Sequence, residues 1–92
     1  MALTFEWDPW KARINLRKHG VSFEEAATIF GDPLSLTIPD PLSPGDEKRF
    51  VIVGQSDRHR TLVVVHTESG EQVRIISARE ASRGERRRYE ES

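Results

Sequence analysis

The chain has 92 residues and a net charge of −1, with 14 Lys and Arg against 15 Asp and Glu. Because the charges nearly cancel, a general attraction to nucleic acid or membrane is excluded, and any such binding requires a local cluster of charge. The lack of cysteine excludes disulfides and thiolate metal sites. The length of the chain predicts a single domain over residues 1–92. No apolar run approaches the roughly 18 residues of a membrane span. We see no signal peptide and expect the chain to be cytoplasmic.

The N-terminal segment predicts a short strand followed by a helix. Apolar and polar residues alternate over 3–7, which is typical of a strand. Asp8 before Pro9 is a helix-start pattern, because aspartate caps free backbone N–H groups and proline fits the first helical position. The helix should run to about His19, since Gly20 suits the left-handed position after a helix end.

A second helix and a second strand follow. Ser22 with Glu25 forms a capping box that opens the second helix, and Gly-Asp-Pro at 31–33 should end it. Residues 34–38 alternate as a half-buried strand, and the proline-rich stretch 39–45 is expected to be a loop.

Three more strands are predicted at 50–53, 62–67 and 72–76, joined by short turns into an antiparallel meander. The strand from residue 62 is apolar on both faces and should be central. A last helix should begin near Ser77 or Ser82, because each has a glutamate three residues later. The predicted class is therefore α+β: an antiparallel sheet with two N-terminal helices packed on it and a short C-terminal helix.

An ordered set of short segments resembles the BrnT toxin family. The segments are Phe5–Asp8, Asn15, Lys18–Ala26, Asp46–Phe50, Leu62–Thr67, Arg74–Arg79, Glu85–Arg86 and Tyr89. The resemblance covers roughly residues 5–90. It implies a RelE-like ribonuclease fold and RNA cleavage that arrests translation. It also implies neutralisation by a BrnA-like ribbon-helix-helix antitoxin, with operator DNA bound only through that antitoxin.

RNA cleavage without a metal needs a base for the 2′-OH, an acid for the leaving oxygen and cations around the phosphorane. The candidate catalytic residues are Lys18, His19, Glu47, Arg49, His66, Arg74, Arg79 and Tyr89. The histidines or Glu47 would move protons, the Lys and Arg side chains would hold phosphate, and Tyr89 would stack on a base or donate a proton. No cofactor or metal is expected, because the three histidines lack ligand spacing.

Each candidate also has a structural explanation. Lys18 and His19 suit the negative end of a helix dipole, and His66 shares a strand face with apolar neighbours. Glu47 and Arg49 would form a surface ion pair, and the C-terminal arginines would be the solvated side of a helix. Trp7 and Trp10 are expected in the core rather than on RNA.

The nuclease hypothesis requires Lys18, Arg74 and Arg79 to converge on one cationic spot of the sheet. The alternative is a non-catalytic module that docks an acidic partner. Direct DNA binding is disfavoured, because no helix-turn-helix spacing or basic recognition helix is evident.

Overall fold

A computed structural model describes residues 2–91. The elements are β1 (Thr4–Glu6), α1 (Pro9–His19), α2 (Phe23–Thr28), β2 (Leu36–Pro39), β3 (Phe50–Gln55), β4 (Thr61–Ser69), β5 (Gln72–Glu80) and α3 (Arg83–Glu91), with a 3₁₀ turn at Ile29–Gly31. This is the predicted order of strands and helices. Met1 and Ser92, the ends of the predicted domain, lie outside the described range.

The five strands form one sheet in the order β1-β5-β4-β3-β2, so β4 is central, as its apolar sequence predicts. The predicted antiparallel meander of β3, β4 and β5 is confirmed. The sheet as a whole is mixed rather than antiparallel, because β1 pairs with β5 in parallel. The crossover through α1, α2 and the meander permits this pairing. A helix start at Ser77 is also wrong: β5 continues to Glu80, with Ala78 paired to Val64 of β4.

The core lies between one face of the sheet and the helices that precede β2. Its buried members are Val21, Phe23, Ala26, Ile29, Ile52, Leu62, Val64, Val73, Ile75 and Ala78. We call this side of the sheet the covered face and the other side the open face. Alternate residues of each strand point to opposite faces, so the buried residues of β4 and β5 fix which side chains reach the open face.

A bulge in β5 brings two predicted arginines to the same face. Arg74 and Arg79 are five positions apart, an odd number that would place them on opposite faces of a regular strand. The β4–β5 register shifts at Val65/His66, which leaves Ile76 without a partner in the ladder. Both arginines therefore lie on the open face.

Asn15 fixes α1 beside β5. It is the buried residue of α1. Its amide nitrogen donates to the carbonyl oxygens of Val21 at 2.9 Å and Ala78 at 2.8 Å, and its amide oxygen accepts from Ala78 N–H at 3.1 Å. The β1–β5 pairing ends at Arg74, so this amide takes the place of a neighbouring strand at the edge of β5.

Glu25 fastens the helices to the β3–β4 turn. Ser22 Oγ accepts from the Glu25 N–H at 3.0 Å, as the capping box predicts. The Glu25 carboxylate is buried and points to the β3–β4 turn, where it accepts from Arg60 Nε at 3.0 Å and from Ser56 Oγ at 2.7 Å. Arg60 also donates to the Gly20 carbonyl at 3.2 Å. The bond from Arg60 lowers the pKa of Glu25, against burial, which acts to raise it.

Candidate active site

The open face carries a groove of about 480 Å³ with a mostly apolar floor. The floor is built by Leu36 and Ile38 of β2, Val51 and Val53 of β3, and Val63 and Val65 of β4. Arg79 of β5 and Glu85, Arg88 and Tyr89 of α3 line the groove, and Asp40 and Leu42 border it from the β2–β3 loop. Polar and cationic groups thus surround an apolar surface.

Arg79 holds Glu85 through a two-point ion pair. Nη1 and Nη2 of Arg79 donate to the two carboxylate oxygens of Glu85 at 2.7 and 2.8 Å. This bond is the main cause that lowers the pKa of Glu85 to about 2, and it raises the pKa of Arg79. The side chains are 44% and 35% exposed, so water reaches the pair. A guanidinium binds phosphate oxygens through the same fork geometry.

Glu85 also completes the cap of α3. Its Oε1 accepts from the Ser82 N–H at 2.8 Å, and Ser82 Oγ accepts from the Glu85 N–H at 3.2 Å. The sequence left Ser77 and Ser82 as competing starts, and the structure places the capping box at Ser82. One carboxylate therefore both starts α3 and attaches it to the end of β5.

Tyr89 attaches the other end of α3. Its hydroxyl donates to Asp32 Oδ2, which also accepts from the Gln55 N–H at 2.8 Å. Burial and the Asp32 carboxylate raise the pKa of Tyr89 to about 12, so the hydroxyl keeps its proton at neutral pH. Partial burial acts to raise the pKa of Asp32, but the bond from Tyr89 and two backbone N–H bonds lower it overall. No sequence pattern indicates a role for Asp32 beyond that of a helix stop.

A family model described as "Ribonuclease toxin, BrnT, of type II toxin-antitoxin system" matches residues 7–85. The chain belongs to the BrnT family. The fold is similar to the crystal structure of the Brucella abortus ribonuclease toxin BrnT, with a TM-score of 0.69, 21% identity, and coverage of 89% of this chain and 100% of that one. At this identity the likeness shows the fold alone. No curated protein sequence matches the chain.

The predicted convergence of Lys18, Arg74 and Arg79 is not found in this BrnT-family structure. Arg74 lies on the open face opposite Thr67 of β4, about 16 Å along β5 from Arg79 at roughly 3.3 Å per residue. Lys18 and His19 are exposed in the last turn of α1, in the helix layer of the covered face. Of the eight candidates, the structure brings only Arg79 and Tyr89 to the same groove.

His66 lies on the covered face and is fully buried rather than half-buried. Its ring packs edge-on against Phe30, with centroids 4.9 Å apart, and stacks on Phe50 at 5.8 Å. Its Nε2 is 2.8 Å from Glu68 Oε2. Because its ring has no exposed surface, His66 cannot contact a substrate in this conformation, and we assign it a packing role.

Glu47 and Arg49 form the expected surface ion pair, with 2.7 Å between Arg49 Nε and Glu47 Oε1. Ser43 Oγ accepts from the Arg49 N–H at 2.9 Å and holds the end of the β2–β3 loop. The other end of this loop, at Asp40, borders the groove. Both side chains therefore belong to a loop that reaches the groove, although neither lines it.

The two tryptophans differ in burial. Trp7 packs edge-on against Phe23 of the core, with ring centroids 5.9 Å apart, as expected. The prediction of a core position for Trp10 is wrong, because Trp10 is 62% exposed on α1. An N-terminal aromatic residue near a helix start does not itself show which side of the helix faces the sheet.

Residues 2–91 contain no group of three or more His, Cys, Asp or Glu side chains arranged to hold a metal ion. Within the same range, no helix combines the length and apolar character that crossing a bilayer requires.

Proposed function

We propose that this BrnT-family protein is a RelE-like endoribonuclease toxin that cleaves RNA at the open-face groove without a metal ion. By cleaving RNA it would inhibit translation in the cytoplasm. The cationic spot of Lys18, Arg74 and Arg79 that the sequence-based hypothesis required is not formed, so the proposal does not rest on it. It rests on the ribonuclease description of the matching family and on the fork of Arg79, which lies at a strand end, beside a groove, and is accessible to solvent. This fork now binds a carboxylate in the geometry with which it would bind a phosphate.

The chemistry proposed is attack of the ribose 2′-oxygen on the adjacent phosphorus, with departure of the 5′-oxygen. Arg79 would stabilise the negative charge that builds on the phosphorane, and Arg88 would add a second cation from α3. Tyr89 would stack on a base or, once released from Asp32, donate a proton to the leaving oxygen. We therefore propose Arg88 in addition to the residues predicted from sequence.

The proposed reaction also needs a base for the 2′-OH. Glu85 is a poor base while it binds Arg79, because that contact holds its pKa at about 2. Glu47 remains the proposed base and Arg49 a further phosphate contact, since their loop borders the groove at its other end. A movement of this loop toward Arg79 would be required.

We propose that a BrnA-like ribbon-helix-helix antitoxin neutralises the toxin by covering the open face and that this antitoxin binds the operator DNA. The apolar floor and its border support this proposal: Ile38 and Leu42 are 58% and 83% exposed. Such a surface favours an apolar partner segment, with acidic side chains opposite Arg79 and Arg88. The same observation favours the alternative function, a non-catalytic docking module.

The test is incubation of the purified chain with RNA in EDTA, comparing wild type with Arg79→Ala. We expect wild-type cleavage to persist in EDTA and Arg79→Ala to lose a factor of about 10²–10³ in rate. Arg83→Ala, which removes the same charge from the exposed start of α3, should cleave like wild type.

Three results would count against parts of the proposal. Loss of wild-type cleavage in EDTA would overturn the metal-free mechanism. Equal cleavage rates for wild type and Arg79→Ala would show that the reaction does not take place in the groove. Intact RNA at high protein excess would favour the docking module.

A further inference from the structure

The unbalanced positive charge of the chain lies on α1 rather than on α3, whose four arginines are accompanied by three glutamates. Residues Pro9–His19 contain Lys11, Arg13, Arg17 and Lys18 and no acidic residue. The rest of the chain keeps ten of the 14 basic residues against all 15 acidic ones. A chain of nearly zero net charge therefore carries one strongly cationic helix, which is the local cluster that binding to a polyanion requires.

These cations lie on the outer face of α1. Trp10, Arg13, Ile14, Arg17 and Lys18 follow the spacing i, i+3, i+4, i+7, i+8, which places them along one side of a helix, and all five are exposed. Ala12 and Asn15 occupy the opposite side, where Asn15 bonds to β5. The rigid attachment through Asn15 holds the basic side toward solvent.

Helix stability does not account for this composition. The negative end of the dipole favours Arg17 and Lys18 in the last turn, but the positive end disfavours Lys11 in the first. No ion pair compensates for these charges, since none of the four basic side chains has an acidic partner among residues 2–91. The cations of the outer face thus lack an anion within the described chain, and a polyanionic ligand would supply the negative charge.

An aromatic platform lies among the cations. The Arg13 guanidinium carbon is 5.7 Å from the centroid of the Trp10 ring, and that ring is 62% exposed. Single-stranded nucleic acids are bound by this combination: basic side chains follow the phosphates, and flat side chains stack on bases. An acidic protein would use the charges but would gain little from the exposed indole.

We propose that the outer face of α1 is a second RNA-binding surface that holds single-stranded RNA outside the cleavage groove. This inference rests on the proposed function, because it assumes that RNA is the substrate. It assigns Lys18, predicted as catalytic from the sequence, to substrate binding instead. The described chain measures only 31 × 29 × 26 Å, so one strand can contact α1 and pass the edge of β5 to reach Arg79.

The experiment measures binding of a fluorescent 2′-O-methyl RNA of about 16 nucleotides, the upper end of site sizes for small single-strand-binding domains. The methyl group blocks the attacking oxygen, so binding is measured without cleavage. The variants are Arg13→Gln/Arg17→Gln on α1 and, as control, Arg83→Gln/Arg87→Gln on α3. Both doubles remove two exposed arginines at the same i, i+4 spacing.

We expect Arg13→Gln/Arg17→Gln to bind RNA about 10- to 30-fold more weakly near 0.1 M salt and to reduce the slope of log K against log salt by about 1.4. Trp10→Ala should weaken binding at least about fivefold through lost stacking. The α3 control should change affinity less than about threefold. A polyglutamate peptide of equal charge should bind much more weakly than the RNA.

Equal weakening by the two double variants would show a net-charge effect and overturn the proposal, as would wild-type affinity in Arg13→Gln/Arg17→Gln. Polyglutamate binding as tight as RNA binding would assign the surface to an acidic protein instead.

Cleavage of unmodified RNA by wild type is measured separately. Cleavage without α1-dependent binding rejects the second surface alone, and α1-dependent binding without cleavage rejects the nuclease alone.

Discussion

Helices α1 and α3 each carry four Lys or Arg residues, but they are attached to the sheet in opposite ways. Helix α1 is attached by the buried Asn15, whose amide makes three hydrogen bonds to the backbone. Helix α3 has no buried residue and depends on the solvent-accessible pair Arg79–Glu85 and on the bond from Tyr89 to Asp32. Water and anions compete for the second kind of contact and not for the first.

This difference separates a fixed part of the molecule from an adjustable part. The proposed outer binding surface stands on the fixed helix, where the positions of its cations do not depend on the ligand. The groove is bordered by the adjustable helix, where a substrate phosphate would compete with Glu85 for Arg79. The following substitutions test whether the two attachments differ as the contacts indicate.

The largest effect is expected for Asn15→Ala. The substitution leaves the Ala78 N–H and the carbonyls of Ala78 and Val21 without their partner, which should destabilise the fold by about 3 kcal/mol. Urea unfolding followed by tryptophan fluorescence measures this change. Ile14→Ala, on the exposed side of the same helix, should stay within about 0.5 kcal/mol of wild type. A cost below about 1 kcal/mol for Asn15→Ala would show that α1 is not fixed by this amide.

A smaller effect is expected for Arg60→Ala, which leaves the buried Glu25 carboxylate without its cation. Breaking a buried pair costs about 3–5 kcal/mol, and we expect about 2 because the Arg60 side chain is 28% exposed and water can replace part of it. Adding Glu25→Gln should recover part of the loss, because the double variant buries no unpaired charge. If the costs of the two single substitutions simply add, the two side chains are not coupled.

The sequence predicted features that depend on neighbouring residues. The caps at Asp8, Gly20 and Ser22 are confirmed, since each rests on chemistry within one helical turn. The central position of β4 is also confirmed. Its unbroken apolar run supplies the core on the covered face and part of the groove floor on the open face. Family membership followed from the order of many short segments, none of which is specific alone.

Features that join distant parts of the chain were missed. Asn15 and Ala78 are 63 positions apart, and no local pattern shows that an amide replaces a strand there. The bulge at Ile76 likewise has no sequence signature, yet it decides that Arg74 and Arg79 share a face. The capping pattern at Ser82 did identify Glu85, but the pairing of Glu85 with Arg79 depends on where α3 turns after β5.

The smallest effect on stability, and the most informative about α3, is expected for Glu85→Gln. Glutamine keeps an oxygen for the Ser82 N–H but loses the charge that binds Arg79. Since both side chains are more than one-third exposed, global stability should fall by less than about 1 kcal/mol. Hydrogen exchange of the α3 amides should nevertheless become several-fold faster, while exchange in α1 should not change. Glu91→Gln, an exposed change of equal charge on the same helix, is the control.

The lowered pKa of Glu85 predicts how the attachment of α3 depends on pH. The pKa of Glu85 falls from 4.5 to about 2 when α3 is docked, so the undocked carboxylate binds a proton more readily. The stabilisation that Glu85 gives α3 is therefore complete above pH 4.5 and is lost as the pH falls toward 2. Glu85→Gln should lose this part of the acid-induced change in α3 exchange and keep only the part that follows from Asp32, whose pKa is also lowered, whereas Glu91→Gln should retain the whole change. If Glu85→Gln behaves like wild type in acid, the Arg79–Glu85 pair does not hold α3, and a phosphate arriving at Arg79 would displace Glu85 without releasing the helix.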